Sequence, residues 1–550
     1  MRSTFSGLEI ARRGMMTQQG ALYTTGHNIA NANTPGYSRQ RVNFVQTAPY
    51  PAPSVNRPAM PGQVGTGVEA GSIQRVRDHF LDEQYRVENN KLGYWESKKS
   101  AIQKMEDILN EPTEDGLAAT LDRFWTSLQD LAAHPEDAGA RSVVRQRGIA
   151  VTDTFHYLSN SISAIQKDFK KEVTTTQNEI NTLLSQINMV NKQVGEIEPH
   201  GFVPNDLYDE RDRLVDQLSQ LINIRVERVP SGGSPNGAAE GKLNIFLADP
   251  QGGYANGNSG TFKLVDAKEY TNMTIDVEFT SLNPDSPIQS INFLDHNGLK
   301  MDGISGTNFT DLKKGVPGKM QALVEMYGYT TGPVNVDGTY PVNGVYNKML
   351  EDLDKMAYVF AQKFNEVHQD GYTLNDINAH EADPIANPLN KTTIEFFTLA
   401  DSAIGQPWRN AAKRIEVSND IINNEGNIAA SADKSAGNGG NAIALANVKD
   451  AELNYKNPLV AETSTIQGFY QGLIGALGVA GIEAIRMEKN SLVLKDSVQY
   501  KRDSVSNVSL DEEMTNMIKF QHAYNAAARN ITLVDELLDK VINGMGIVGR

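Results

Sequence analysis

The sequence predicts a mainly α-helical protein with a β-rich insertion. Its domains are nested and discontinuous: terminal coiled-coil helices enclose a long helical bundle, and the bundle encloses the insertion. Three patterns predict this. Apolar residues repeat every seven positions at both chain ends, the spacing that packs one helix on another. Interior runs alternate by three and four, as in a bundle. Between residues 235 and 315 the period falls to two, that of half-buried antiparallel strands. The expected units are 1–42 with 509–550 for the terminal helices, 43–234 with 316–508 for the bundle and its irregular segments, and 235–315 for the insertion.

The first helix is expected over residues 6–31, with Ser6 and Glu9 as a capping box. Leu8, Met15, Leu22 and Ile29 form its seam. Gly14, Gly20 and Gly26 thin it, each costing about 1 kcal/mol against alanine in a helix interior. The helix runs into Asn28-Ile29-Ala30-Asn31-Ala32-Asn33-Thr34-Pro35-Gly36-Tyr37-Ser38-Arg39-Gln40. Pro35-Gly36 stops it, and the asparagines are suited to bonding local backbone. Residues 43–70, rich in proline and glycine, read as an extended linker with a short strand pair.

Helices are then expected over 72–110, 117–133 and 136–198, the last with Val173, Thr176, Ile180, Leu183, Ile187, Val190, Val194 and Ile197 at bundle spacing. Pro199-His200-Gly201 turns the chain into a returning helix, 206–222. Its alternating acids and bases read as a solvated face with i,i+4 pairs such as Asp209–Arg213. The insertion's strands are expected around Leu243–Ile245, Met273–Phe279 and Ile291–Phe293. Helices resume at 318–327 and 346–367. A polar stretch, 373–440, holds Phe396-Phe397, a strand at 414–417 and a flexible Gly437-Asn438-Gly439-Gly440. Residues 465–498 make another bundle helix, with Tyr470, Leu473, Leu477, Ala480, Ala484, Met487, Leu494 and Val498 on its apolar face.

The last helix, Ser509 to Gly544, carries the richest seam. One row is Leu510, Met517, Tyr524, Ile531, Leu538 and Met545; three residues on runs Phe520, Ala527, Val534 and Val541, with Glu513 alone off pattern. Ser509 with Glu512 reads as a capping box and Gly544 as the stop. Such a seam needs a partner. The thinner seam at the other end supplies one, and a nested layout brings the two ends together. The assembly seam is therefore expected at Leu8, Met15, Leu22, Ile29, Leu510, Met517, Phe520, Tyr524, Ile531, Val534, Leu538 and Val541.

Composition narrows the function. Net charge is −16, which argues against a nucleic-acid partner. No apolar run reads as a membrane span of about 20 residues, so no membrane partner is expected. There is no cysteine, hence no disulfide, thiolate chemistry or Cys-ligated zinc. Arg2, Arg12 and Arg13 flank no apolar block or cleavage site, so no removable signal peptide is expected. The nine histidines are scattered and form no H-E-x-x-H pair. His380-Glu381-Ala382-Asp383-Pro384 reads as a solvated loop, and Gly437–Gly440 lacks the Lys-Ser/Thr of a phosphate loop. No catalytic residue, cofactor or metal is expected. Paired carboxylates cannot be singled out among so many acids, so an enzyme seated in the insertion stays an alternative.

Five segments resemble one family. The stretch from Asn28 to Gln40, with Asn28, Asn31, Asn33, Thr34, Pro35, Gly36, Tyr37 and Ser38, is similar to the N-terminal signature of the bacterial flagellar axial proteins of rod, hook and hook-associated type. Leu128-Gln129-Asp130-Leu131-Ala132 with Pro135-Glu136-Asp137 resembles the family's first bundle hairpin. Asn205 to Leu214 resembles its "LLDxRDxLL" segment, and Asn365 to Tyr372 its "FNxxHxxGY" segment. Asp511-Glu512-Glu513-Met514 and Phe520 to Arg529 resemble its terminal signature, "FQxAYxANAR", with Ala527 where asparagine is usual. The Tyr37-Ser38-Arg39-Gln40 and "LDEEM" continuations favour the junction-forming hook-associated branch.

The resemblance implies a structural subunit of the bacterial flagellum at the hook–filament junction. It implies further copies in the junction, hook protein on one side, the next hook-associated protein on the filament side, and an export chaperone on the C-terminal region. It also implies secretion through the flagellar type III channel. The alternatives are a hook or rod subunit, a secreted enzyme or adhesin on a flagellar-type frame, and a cytoplasmic coiled-coil scaffold.

Overall fold

The computed structural model describes residues 5–55, 62–109, 116–249, 253–254, 262–281, 286–300, 318–332, 340–400, 407–451 and 465–544. Met545 of the seam lies outside them.

Helix α1 (Ser6–Ala30) leads to a hairpin, β1 (Gln40–Gln46) with β2 (Val68–Arg75), paired antiparallel. Then follow α2 (His79–Leu109), α3 (Leu117–Ala133), α4 (Ala138–Ile197) and α5 (Asn205–Leu221). The spine is α4: 60 residues, about 90 Å at 1.5 Å per residue. Asp137 caps it, accepting from the Gly139 and Ala140 amides. Its three-and-four row is buried from Val173 through Val194, and α3, α5 and some of the later helices pack around it.

Two four-stranded sheets follow. One is an antiparallel run of β3 (Ile224–Val229), β4 (Lys242–Leu247), β5 (Lys263–Asp266) and β6 (Thr271–Asn272). The other joins β7 (Thr274–Phe279), β8 (Ile288–Leu294), β9 (Tyr329–Thr330) and β10 (Val342–Asn343), with β8 and β9 parallel. The sheets thus reach beyond 235–315 on both sides. Leu243, Ile245 and Ile275 belong to the same core as α4.

Helix α6 (Lys319–Tyr327) precedes β9. After β10 come α7 (Val345–Gln369), α8 (Leu374–Ala382), the pair β11 (Phe397–Leu399) and β12 (Ile415–Val417), the short α9 (Ala411–Arg414) and α10 (Asn419–Asn423), and α11 (Gly440–Ala446). An aromatic cluster of Phe124, Trp125, Phe155, Phe360, Phe364, Phe396 and Phe397 knits α3, α4, α7 and β11 together. The resembling segment around Asn365 is explained here. Asn365 Oδ1 accepts from the Phe396 and Phe397 amides at 3.0 and 2.9 Å. His368, fully buried, faces the Ile394 carbonyl through Nδ1 and accepts the Ala429 amide on Nε2. His380 sits on α8 with Nδ1 against the Asn387 carbonyl, so that cluster starts in a helix rather than a loop. Gly439 is packed rather than flexible: a β-carbon there would collide with the Ala132 carbonyl.

The chain ends with α12 (Ile466–Ser506) and α13 (Leu510–Asp539), the latter running into a π-turn at Lys540–Gly544. One face of α12 lies on α2, burying Tyr470, Leu477 and Ala484; Leu494, expected on that face, is exposed. A stretch within Ile466–Gly544 is long and apolar enough, by length and composition, to cross a membrane. The sequence expectation overlooked it because glycines and alanines break up its larger side chains.

Candidate functional site

The two ends of the chain meet. Helices α1 and α13 pack antiparallel along their length. Gly7 faces Val534, Gly14 faces Ala527, and Asn28 bonds Glu513, so each step along one helix answers an equal step back along the other. The contact is close because its α1 side is small. The buried residues of α1 are Ala11, Thr17, Ala21, Thr24, Thr25 and Asn28 rather than the heptad row. Leu8, Met15, Leu22 and Ile29 are half-buried beside them. On α13, Met517, Phe520, Tyr524, Ile531, Val534 and Leu538 are half-buried, whereas Leu510 and Val541 are 48% and 46% exposed. Those two leave the expected seam because the register sets them past the ends of α1: Leu510 falls opposite residue 31, and Val541 lies beyond the helix's first residue. The hairpin supports the pair: Thr17 donates to the Val68 carbonyl at 3.2 Å, and Phe44 meets Phe520 edge to face.

The one off-pattern position, Glu513, is the most buried residue of α13, at 2% exposure. Its carboxylate accepts Arg39 Nε at 2.8 Å and Asn28 Nδ2 at 3.1 Å, across 485 residues of sequence in the second case. Asn28 is saturated: Oδ1 accepts the Gln40 amide and the Tyr37 hydroxyl, and Nδ2 also donates to the Gln40 carbonyl. Ser509 accepts from the Glu512 amide, as the capping pattern predicts, while the Glu512 carboxylate takes Arg39 Nη1 at 2.6 Å. At the other end the capping expectation fails. Phe5 occupies the N-cap, and Glu9 pairs with Arg12 and Arg13 instead of folding back.

Below this clasp lies a web of buried charge. Arg75 bonds Asp209, Asp212 and Glu240 at 2.8, 2.6 and 2.6 Å. Arg86 joins Asp212 to Asp216, Arg77 holds Asp82, and Arg502 from α12 reaches Asp216 at 2.6 Å. The web ties together β2, α2, α5 and α12 where the terminal pair meets the bundle. The α5 alternation is therefore no solvated face: Asp209, Arg211 and Asp212 are buried, and Arg213 pairs with Glu210 rather than Asp209. Burial opposes ionisation of Asp212, yet the surrounding guanidiniums of Arg75, Arg77, Arg86 and Arg211 hold its carboxyl well below the usual range. Burial pulls Arg211 down to about 10.

The signature loop crowns the joint. The Ser38 amide donates to Asp209 and its hydroxyl accepts from Arg77. Gly36 adopts φ 83°, a left-handed conformation that favours glycine, against the stem of Arg213. Asn31 donates to the His27 carbonyl and Thr34 to Asn31, while Asn33, Thr34 and Pro35 are exposed. The loop lines two clefts of about 330 and 510 Å³, one facing Arg77 and Arg502, the other Asp206, Glu210 and Arg213. Among the described residues, no group of three or more histidines and acids is placed to hold a metal.

Comparison with known proteins fits this geometry. Residues 8–37 match the flagella basal body rod protein family, and residues 502–544 the flagellar basal body rod FlgEFG protein C-terminal family, so the two matched ends are the two paired helices. Residues 102–381 match the flagellar hook-associated protein FlgK helical domain. Over 551 residues, covering all of both chains, the protein is 42% identical to flagellar hook-associated protein 1 of Bacillus subtilis.

The chain belongs to the flagellar hook-associated protein 1 family.

Flagellar hook-associated protein 1 of Escherichia coli is 24% identical over 566 residues, with 97% of this chain and 98% of that one covered. The fold is shared with the flagellar hook junction protein FlgK from Burkholderia pseudomallei, at a TM-score of 0.57 and 12% identity over 77% of this chain and all of that one. Within the family, the five resembling segments become parts of the structure. Three of them, around Asn28–Gln40, Asn205–Leu214 and Asp511–Met514, converge on the joint. The other two pack in the bundle.

Proposed function

We propose that this protein is a structural, non-catalytic subunit of the hook–filament junction, built into the flagellum through its paired terminal helices. The observation that carries this reading is the outer surface of the pair. Leu510, Met514, Ile518, Leu533 and Leu537 on α13 and Ile542 in the π-turn after it, with Met16 and Tyr23 on α1 and Phe5 at its N-cap, are largely exposed. An apolar surface of that extent belongs in contact with other subunits. Further copies lie beside it, hook protein on one side and the next hook-associated protein on the filament side. Residues 1–42 with 509–550 anchor the subunit, 43–234 with 316–508 form its body, and the β-rich insertion 235–315 packs on that body through Leu243, Ile245 and Ile275. The cysteine-free chain leaves the cell through the flagellar type III channel. Beforehand, a chaperone covers the apolar C-terminal region.

Tyr524→Asp tests this. The substitution puts charge into the half-buried seam without touching the bundle. In a strain lacking the natural gene, the variant should fold and be exported, yet leave filament protein secreted as monomers and the cells non-motile. Normal motility would rule out assembly through this seam.

A further inference from the structure

The fold sets one asparagine–glycine pair up to react with itself. In such a pair the glycine nitrogen can attack the asparagine side-chain carbon, an intramolecular step whose partners are already held together. Glycine allows it because no β-carbon crowds the nitrogen. Five of these pairs lie among the described residues: Asn236-Gly237, Asn297-Gly298, Asn343-Gly344, Asn438-Gly439 and Asn543-Gly544. A sixth, Asn256-Gly257, lies outside them.

Four of the five are restrained. The Gly298 amide is spent on the Asp295 carbonyl at 2.9 Å. Gly344 is buried against Gly328, where solvent base does not reach its N–H. Asn438 donates to Asp433 at 2.7 Å, and Gly439 is wedged against the Ala132 carbonyl. Asn543 is held inside the π-turn by its bond to Asp539 at 2.7 Å.

Asn236 takes the first position of a turn between β3 and β4, closed by the Ala239 amide donating to the Asn236 carbonyl at 2.9 Å. Gly237 comes second, the position whose N–H such a turn leaves unbonded. It is exposed, and a β-carbon on it would meet nothing within 4 Å. Asn236 Oδ1 meanwhile accepts the Ala238 amide at 3.0 Å. That amide is aimed where negative charge develops when the side-chain carbon is attacked, which is the work of an oxyanion donor.

We propose that Asn236-Gly237 is a self-modification site, with the Ala238 amide as its oxyanion donor. Solvent base takes the Gly237 proton, and the nitrogen forms a bond to Asn236 Cγ. The bond from Cγ to Nδ2 then breaks, and Nδ2 leaves as ammonia after taking a proton from water. Water opens the cyclic imide at either carbonyl, leaving aspartate or isoaspartate. One water is consumed and one ammonia released, with no change of oxidation state. The product bears on the joint, because the same loop carries Glu240 to Arg75 in the buried web. Asn236 Nδ2 lies 3.5 Å from the Gly71 carbonyl of β2, and a carboxylate there has no donor to offer it. Isoaspartate also adds a carbon to the backbone leading to Glu240.

Incubating the full-length chain in mildly alkaline buffer tests this, with peptide mapping for the mass gained when an amide becomes a carboxylate. In the folded chain Asn236 should convert at least about tenfold faster than the other four, a modest part of the roughly 100-fold or more that one oxyanion donor contributes in an enzyme. In urea the five rates should converge, since only the fold tells them apart. Gly237→Ala, whose added carbon has free space, should slow conversion of Asn236 more than about tenfold while the thermal midpoint stays unchanged. A lead by any of the other four, no lead at all in the folded chain, or an undiminished rate in Gly237→Ala would overturn the proposal.

Discussion

Replacing Asp212 by asparagine should cost the bundle about 3 kcal/mol. The side chain is fully enclosed and accepts Arg75 Nη2 at 2.6 Å and Arg86 Nη2 at 3.2 Å, with Arg77 Nε at 3.5 Å. Breaking a buried ion pair typically costs about 3–5 kcal/mol, because the remaining charge is left without compensation. Here every arginine keeps another acid: Arg75 has Asp209 and Glu240, Arg86 has Asp216, and Arg77 has Asp82. That places the loss at the lower end, roughly a 150-fold fall in the folding equilibrium constant. Asp212→Ala, which also leaves a void, should lose about 1 kcal/mol more. The assay is urea unfolding followed by far-ultraviolet circular dichroism, comparing both variants with Arg86→Met and with the Asp212→Asn/Arg86→Met double variant. The double variant should lose less than the two single losses added together, since each partner's removal relieves the other. A loss under about 1 kcal/mol for Asp212→Asn, or strict additivity, would refute the web as a structural joint.

Two further outcomes follow from particular contacts. Gly439→Ala drives a methyl group into the Ala132 carbonyl, so it should destabilise the region joining α3 and α11 by about 2 kcal/mol or more, seen as a lowered thermal midpoint. His368 is lowered from 6.5 to about 4 by burial, while its hydrogen bond to Ile394 resists the shift. The unfolded chain therefore binds its proton first as pH falls. Stability should be complete above pH 6.5 and decline toward pH 4, by at most about 3 kcal/mol from this residue. In His368→Gln that slope should flatten; an unchanged pH profile would exclude His368 as its source.

The helices and the pairing of the chain ends were legible in the sequence because both depend on local periodicity. The heptad rows name a helix face, and the nested order names its partner. What the rows do not reveal is how much of that face the partner covers, since this depends on the register of the pair and on where the shorter helix ends. Leu510 and Val541 were expected in the seam and are exposed because they lie past the two ends of α1 in that register. Likewise α12 lies mainly on α2, with lesser contacts to α7 and to Asn447–Asp450, so its apolar spacing overstated its burial at Leu494.

The joint was hidden for a different reason. Asp209 and Asp212 look solvated within α5 because the arginines that bury them, Arg75 and Arg86, lie more than 120 residues earlier. One signal was present: Glu513 broke an otherwise apolar row, and a lone polar residue in such a row commonly sets the register of two helices. Asn28, read as part of a helix stop, proved to be its partner.

The central claim is that the two ends pair antiparallel in one register and enter the junction as a pair. The cysteine-free chain allows a direct test. A β-carbon on Gly14 lies 3.9 Å from that of Ala527, within the usual span of a disulfide. Gly14→Cys with Ala527→Cys should close an intramolecular disulfide under mild oxidation, and the oxidised subunit should still restore motility to a strain lacking the protein. Gly14→Cys with Val534→Cys, one heptad out of register, should not close. Closure of the shifted pair instead, bonds only between chains, or a closed subunit excluded from the flagellum would contradict the account.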